Sequence, residues 1–96
     1  MSVFAYSLAK YRPELYQVCL YPSPTPIPIS YEGRHLCDST ITEAAVIEMD
    51  VPDEVIRKIE TGRMIVVIHN TSLSPEREAD PQTRFRIVEI EMYDRD

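Results

Sequence analysis

The chain has 96 residues, of which 44% are hydrophobic and 27% charged, a composition typical of one globular domain. Its 16 acidic residues outnumber its ten basic residues, and the net charge of −6 argues against a protein that binds nucleic-acid phosphates or an anionic membrane surface. The longest apolar run, residues 64–68, is much shorter than the roughly 20 residues that cross a bilayer. We therefore expect one domain over residues 1–96 and, because no signal peptide is recognisable, a cytoplasmic location.

The N-terminal segment alternates in the manner of a strand. Phe4, Tyr6 and Leu8 fall on one phase and their smaller neighbours on the other, which predicts a strand over residues 2–9. A turn around Pro13 follows, because proline presets its own φ angle. Residues 15–21 are again rich in β-forming residues, so we expect a second strand and a hairpin between the two.

Four prolines occupy alternate positions from Pro22 to Pro28. Each proline fixes its φ angle and lacks a backbone N–H, which favours a stiff extended segment over a central strand. The sequence therefore predicts a proline-rich crossover over residues 22–29. This crossover either closes one end of the domain or acts as an arm whose Ile27 and Ile29 contact a partner.

The third strand and the helix have the clearest local patterns. Residues 44–51 alternate between apolar and polar positions, which predicts a strand with one face in water. Residues 52–61 predict a helix, because Pro52 suits the first turn, Asp53 lies near the positive end of the helix dipole, and Gly62 suits the stop.

The last third of the chain predicts two strands joined by a long loop. Residues 64–68 are apolar on both phases, which is typical of a central strand buried on both faces. Residues 70–83 predict an exposed loop, and residues 84–93 a final strand whose apolar phase changes at Ile87 and Val88, as at a β-bulge. The predicted fold is α+β: a small, five-stranded, mostly antiparallel sheet with one short helix between strands 3 and 4. That order is typical of an OB-like, partly open barrel, and a helix on an open sheet explains it equally.

Two cysteines and two histidines are the candidate metal ligands. Without an export signal the cysteines are expected to be reduced, small hydrophobic side chains. A Cys2His2 metal site would need all four residues, but no C-x-x-C or H-x-x-x-H spacing is present, so we predict no metal and no cofactor. The candidates, kept for comparison with the structure, are Cys19, His35, Cys37 and His69.

No catalytic group of residues is recognisable. The chain lacks a glycine-rich phosphate loop and a nucleophile elbow. Glu48 and Asp50 share one predicted strand face, and Glu89 and Glu91 share another. Such pairs suit magnesium binding or acid–base chemistry, but cross-strand pairing with arginines explains them without a site. We therefore predict no catalytic residues and no enzyme.

The predicted function is that of a small acidic interaction protein: a subunit, adaptor or inhibitor of another protein. The tyrosine- and proline-rich N-terminal region supplies an apolar and aromatic patch of the kind found at interfaces. Residues 41–96 hold 7 basic and 13 acidic side chains, so this half carries the entire net charge. Self-association into a homo-oligomer is compatible with this function. The alternatives are an OB-like module for a small ligand or single-stranded nucleic acid, and an acidic mimic of nucleic acid. The predicted partner-binding residues are Tyr11, Ile27, Ile29 and Tyr31.

Overall fold

The computed structural model describes residues 1–16, 19–20, 26–71 and 84–95 of this small α+β protein. These residues form seven strands and three short helices. None of these helices, which have four to eight residues, is long and apolar enough to cross a membrane. The elements are β1 (Ser2–Ser7), α1 (Leu8–Tyr11), α2 (Pro13–Tyr16), β2 (Cys19–Leu20), β3 (Ile27–Tyr31), β4 (Arg34–Ile41), β5 (Val46–Val51), α3 (Asp53–Glu60), β6 (Met64–Thr71) and β7 (Arg84–Asp94).

The strands form one mostly antiparallel sheet in the order β1-β5-β4-β3-β7, with β6 and the two-residue β2 also paired to β7. Only the pairings β3–β7 and β2–β7 are parallel within the described parts of the chain. The six longer strands curl into a half-barrel. The expected count of five strands is therefore wrong, and α3 lies between the fifth and sixth strands. Its residues fall within the predicted helix 52–61.

The concave, inner face of the sheet carries the core. In β5 the side chains of Ile47, Met49 and Val51 are completely buried, while Glu48 and Asp50 are exposed, which confirms the predicted strand with one face in water. The core also takes Tyr6 and Leu8 from the N-terminus, Ile90 and Met92 from β7, and Val55 and Ile59 from α3. Burying such side chains is the main source of stability in a domain of this size.

Within the predicted second strand over residues 15–21, Cys19–Leu20 does form the short strand β2, but Leu15 and Tyr16 belong to a helix and the predicted hairpin with β1 is wrong. The chain instead turns through α1 and α2, and the Arg12 N–H bonds to the Leu8 carbonyl at 2.9 Å. Pro13 begins α2, a position where its missing N–H costs no hydrogen bond. β1 pairs with β5, not with an adjoining hairpin strand, because its apolar side chains meet the core there.

Only part of the predicted proline crossover is described, since residues 21–25 lie outside the described residues. From Ile27 onward the chain forms β3, which pairs with β4 on one side and β7 on the other. The crossover prediction is therefore wrong for residues 27–29. Pro28 is tolerated because it lies at the start of the strand, and the ladder to β7 begins at Ile29.

Two glycines with positive φ angles lie where a strand or a helix ends. Glu32 (φ 50°) and Gly33 (φ 82°) form a two-residue hairpin between β3 and β4, as expected for a turn with positive φ at both positions. Gly62 (φ 74°) follows α3, and the next N–H, that of Arg63, bonds to the Lys58 carbonyl at 2.8 Å. This closing bond confirms the predicted glycine stop of the helix.

The last two strands differ in how many neighbours they pair with. The prediction of β6 as a central strand buried on both faces is wrong: among the described residues β6 pairs only with β7. The central strand is β7, which pairs with three others. An apolar run has the same appearance in a doubly buried strand and in an edge strand with an apolar outer row. Residues 70 and 71 extend β6, and the remainder of the predicted loop 70–83 lies outside the described residues.

The predicted phase change in the last strand is confirmed as a β-bulge. His69 pairs with Glu89, and Asn70 pairs with Ile87, so Val88 is an extra residue on β7. Ile87 and Ile90 both face the core, while Val88 between them is exposed. The bulge therefore allows a strand with two apolar phases to bury residues from both.

Candidate functional site

The outer face of β6 and β7 combines an apolar stripe with a cluster of ionisable groups. Its side chains alternate with core residues such as Met64 and Met92, and they face away from the core. The register places Ile65 opposite Tyr93, Val67 opposite Glu91, and His69 opposite Glu89. We call this surface the outer β6–β7 face; it consists of Ile65, Val67, His69, Val88, Glu89, Glu91 and Tyr93.

The apolar stripe is formed by Ile65, Val67 and Val88, which are 40%, 37% and 42% exposed. Six large hydrophobic residues are exposed in the described parts of the chain, and these three lie on one pair of strands. Tyr93 lies opposite Ile65 and adds an aromatic ring to the stripe. Ile65 and Val67 are neighbours on this face of β6, and the His69–Glu89 pair separates Val67 from Val88. Apolar side chains grouped on one face mark a candidate interaction surface, whereas scattered ones need no explanation.

The ionisable cluster, which we call the His69 cluster, consists of His69, Glu89 and Glu91. The His69 Nε2 atom lies 2.7 Å from Glu91 Oε1, and the Tyr93 hydroxyl donates to Glu91 Oε2. The bond from Tyr93, with a smaller contribution from His69, lowers the pKa of Glu91 below its usual value. The ligand atoms of the three residues lie within 4.8 Å of one another. This cluster holds two carboxylates against one imidazole, so it attracts a cation.

A second polar group, the Lys58 network, joins α3 to the sheet. The Lys58 Nζ atom lies 2.9 Å from Asp94 Oδ1 and 3.0 Å from the Tyr31 hydroxyl, and that hydroxyl donates to Asp94 at 2.6 Å. These bonds raise the pKa of Lys58 and lower that of Asp94. The bond from the Tyr31 hydroxyl to Asp94 raises the pKa of Tyr31. The network thus has one permanent cation for its central carboxylate, and it connects α3, the end of β3 and the end of β7.

A cleft of about 400 Å³ separates the N-terminal elements from α3 and β6. Tyr11 stacks on Tyr6 across one wall, with ring centroids 4.8 Å apart. The Arg12 Nη1 atom donates to the Val66 carbonyl at 3.0 Å, bridging from the N-terminal helices to the edge of β6. Burial raises the pKa of Tyr6 to about 12, so its hydroxyl stays neutral at physiological pH.

The predicted partner-binding residues do not form one surface patch. Ile27 and Ile29 are 1% and 0% exposed, because β3 is paired on both sides and both side chains face the core. Tyr11 lines the cleft, while Tyr31 belongs to the Lys58 network. The expectation of an exposed patch containing both isoleucines is therefore wrong.

The candidate metal ligands are also separated. His35 is exposed and lies 2.9 Å from Asp38, whereas Cys37 is half-buried against the core. An irregularity near Leu36, where Ile29 pairs with Cys37 and Ser30 with His35, breaks the alternation that would place both on one side. Across the described segments, His69 joins two glutamates and neither of these residues. The side chain of Cys19 lies outside the described residues.

The sequence interpretation missed the apolar residues of the outer β6–β7 face. The available signal is the second apolar phase of residues 64–68, a pattern that equally predicts burial on both faces. No protein-family model, curated protein or solved structure matches the chain.

Proposed function

We propose that the protein is a non-enzymatic interaction protein that binds another protein through the outer β6–β7 face. The observation that carries this proposal is the apolar stripe of Ile65, Val67 and Val88 beside Tyr93. Protein interfaces bury such apolar and aromatic groups at their centre and keep polar groups at the rim. The His69 cluster supplies polar groups between Val67 and Val88.

The charge around the stripe specifies the chemistry of the partner. Glu89 and Glu91 border the apolar side chains, and the whole chain has a net charge of −6. The complementary surface has an apolar centre and lysine or arginine side chains at its rim. Opposite charges accelerate the encounter of two proteins, and this effect weakens as salt screens it.

The Lys58 network supports a structural role for its groups and not a catalytic one. A general base or a nucleophile has to lose its proton near neutral pH. The pKa values of Tyr31 and Lys58 are both raised, which makes each group a poorer base or nucleophile at that pH. Their mutual bonds account for their position between helix and sheet.

An OB-like module that binds a small ligand is the second candidate, and the cleft of about 400 Å³ favours it.

Single-stranded nucleic acid is a less suitable ligand, because the tyrosines of the cleft are poor platforms for stacking a base. Tyr11 already stacks on Tyr6, and the Lys10 ammonium lies 5.0 Å from the Tyr11 ring centroid. An oligonucleotide titration followed by tyrosine fluorescence at low salt is expected to give no saturable change, and a saturable change would favour the nucleic-acid alternative.

Paired aspartate variants test the proposed docking surface. Val67 lies on the outer β6–β7 face, and Val3, which is 71% exposed on β1, is a matched control on the opposite edge strand. We expect the immobilised wild type and Val3→Asp to retain a partner protein from an extract of the native cells. Val67→Asp is expected to retain none of this partner. EDTA in every buffer removes any metal contribution, and retention is expected to fall with rising salt.

Two outcomes contradict the proposed docking surface. One is equal retention of every captured protein by Val67→Asp and Val3→Asp. The other is a wild-type dimer in light scattering that Val67→Asp converts to a monomer, which assigns the face to self-association and not to another protein.

A further inference from the structure

We propose that the His69 cluster binds a divalent first-row transition-metal ion, with Zn²⁺ as the representative cation. The ligand atoms are the imidazole nitrogen of His69 and one carboxylate oxygen each from Glu89 and Glu91. This inference depends on the positions of these three side chains and not on the proposed docking of another protein.

Backbone pairing brings the three ligands together before any metal binds. His69 lies directly opposite Glu89, and Glu91 lies two positions farther along the same face of β7. Their ligand atoms are within 4.8 Å of one another, compared with the spacing of about 3.3 Å that follows from zinc–nitrogen and zinc–oxygen bonds in a tetrahedral site. Glu91 Oε1 is already 2.7 Å from His69 Nε2, so the remaining difference is closed by rotation of the partly exposed Glu89 side chain.

The set of donor atoms selects the class of cation. An imidazole with two carboxylates suits zinc and its neighbours, whereas magnesium and calcium prefer oxygen ligands alone. Two carboxylates and a neutral imidazole carry a charge of −2, which a divalent cation neutralises. Three protein ligands leave a coordination position for water or for a group from outside the chain.

Tyr93 is placed as a positioning residue for this metal site. Its hydroxyl donates to Glu91 Oε2, while Glu91 Oε1 points toward His69. A hydrogen bond to one carboxylate oxygen orients the other toward the metal and limits rotation of the group. Because Tyr93 and Glu91 lie on the same face of one strand, this support belongs to the same surface.

Two other sites in the described chain lack a third ligand and serve as internal comparisons. Glu48 and Asp50 share the outer face of β5, but Ala5 and Val3 lie opposite them. His35 and Asp38 form an exposed pair at 2.9 Å. Among the described residues, three ligand atoms come together only in the His69 cluster.

Calorimetry with ZnCl₂ on the tag-free, chelator-treated chain tests the proposal. We expect the wild type to bind one zinc ion per chain at this site and His69→Ala to lower the zinc affinity at least tenfold. His35→Ala removes the other exposed imidazole of the described chain and is the matched control, with an expected change of less than twofold. A titration with MgCl₂ in place of zinc is expected to show no saturable binding.

Glu89→Gln is a second variant that keeps the shape of the side chain, and it is expected to lower the zinc affinity at least tenfold. Circular dichroism confirms that each variant is folded. Cobalt(II) absorption distinguishes the ligands, because a thiolate gives a charge-transfer band and the His69 cluster does not. The proposal is wrong if zinc does not bind, if His69→Ala binds as tightly as the wild type, or if cobalt reports thiolate ligands.

Discussion

The two edges of the sheet carry the same acidic pattern with different neighbours. On β5, Glu48 and Asp50 lie two positions apart on the outer face, opposite Ala5 and Val3 of the edge strand β1. On β7, Glu89 and Glu91 have the same spacing, and the edge strand β6 places His69 and Val67 opposite them.

Acidity alone therefore does not distinguish the two surfaces, and the side chains across from the acids do. Small Ala5 leaves the acids of β5 without an imidazole. The outer β6–β7 face has an imidazole, three exposed aliphatic side chains and a tyrosine hydroxyl. The residues of the edge strand therefore determine which ligands or partners a pair of acids can bind.

If the outer face is free to bind a partner, the residues on the inner face of the sheet must provide the stability of the fold. Ile90 is completely buried on β7, and Val88, two residues earlier, is exposed at the bulge. We expect Ile90→Ala to lower the free energy of unfolding by about 2–5 kcal/mol, because it leaves a cavity in the core. Val88→Ala is expected to change it by at most about 0.5 kcal/mol. Urea unfolding measures both, and equal losses would contradict the assignment of inner and outer faces.

A histidine on β1 tests whether the cross-strand neighbour makes the metal site. Ala5 bears the same relation to Glu48 and Asp50 that His69 bears to Glu89 and Glu91. In a His69→Ala background, we expect Ala5→His to raise the zinc affinity at least tenfold, or about 1.4 kcal/mol of binding free energy. Calorimetry measures the gain. The absence of any gain would show that the edge-strand residue is not the deciding difference.

Asp94, the third carboxylate of β7, differs from Glu89 and Glu91 because it has the Lys58 ammonium as a permanent cationic partner. Tyr31 and Lys58 lower the pKa of Asp94, so its stabilising contribution is present above its unfolded pKa and is lost as the pH falls through its folded pKa. We expect Asp94→Asn to be less stable than the wild type at neutral pH. The difference is expected to shrink between about pH 5 and pH 2.

Unfolding curves across this pH range, with Glu48→Gln as a control outside the Lys58 network, measure this effect. A stability difference for Asp94→Asn that stays constant through the acidic range would contradict the role given to the network.

The smallest expected effect is that of the two docking variants on stability. Val67→Asp and Val3→Asp replace exposed residues on the outer surface, and each is expected to change the free energy of unfolding by at most about 0.5 kcal/mol. Thermal unfolding followed by circular dichroism measures this. A large loss for Val67→Asp alone would mean that the stripe stabilises the fold, which removes its value as evidence for docking.

Local patterns predicted the elements that depend on neighbours in sequence. The alternation in β1 and β5, the proline and glycine that bound α3, and the phase change at Val88 all reflect backbone or side-chain preferences within a few residues. In contrast, α1 and α2 each have four residues, too few for a helical period to be recognised.

Elements that depend on tertiary pairing were not predicted. The local effect of proline suggested that residues 27–29 lie outside the sheet, but pairing with β4 and β7 places them in its core. The apolar run of β6 did not reveal its edge position, since hydrophobicity says nothing about how many strands are paired. The His69 cluster needed the β6–β7 register, which joins residues about 20 positions apart in the sequence.

The most direct test of the central claim is the ratio of captured protein on Val67→Asp to that on Val3→Asp, measured per mole of immobilised chain. We expect a ratio below about one-tenth for the specific partner, a loss of at least about 1.4 kcal/mol in binding free energy. A ratio near one for every protein retained by the wild type would contradict the assignment of the outer β6–β7 face as the docking surface.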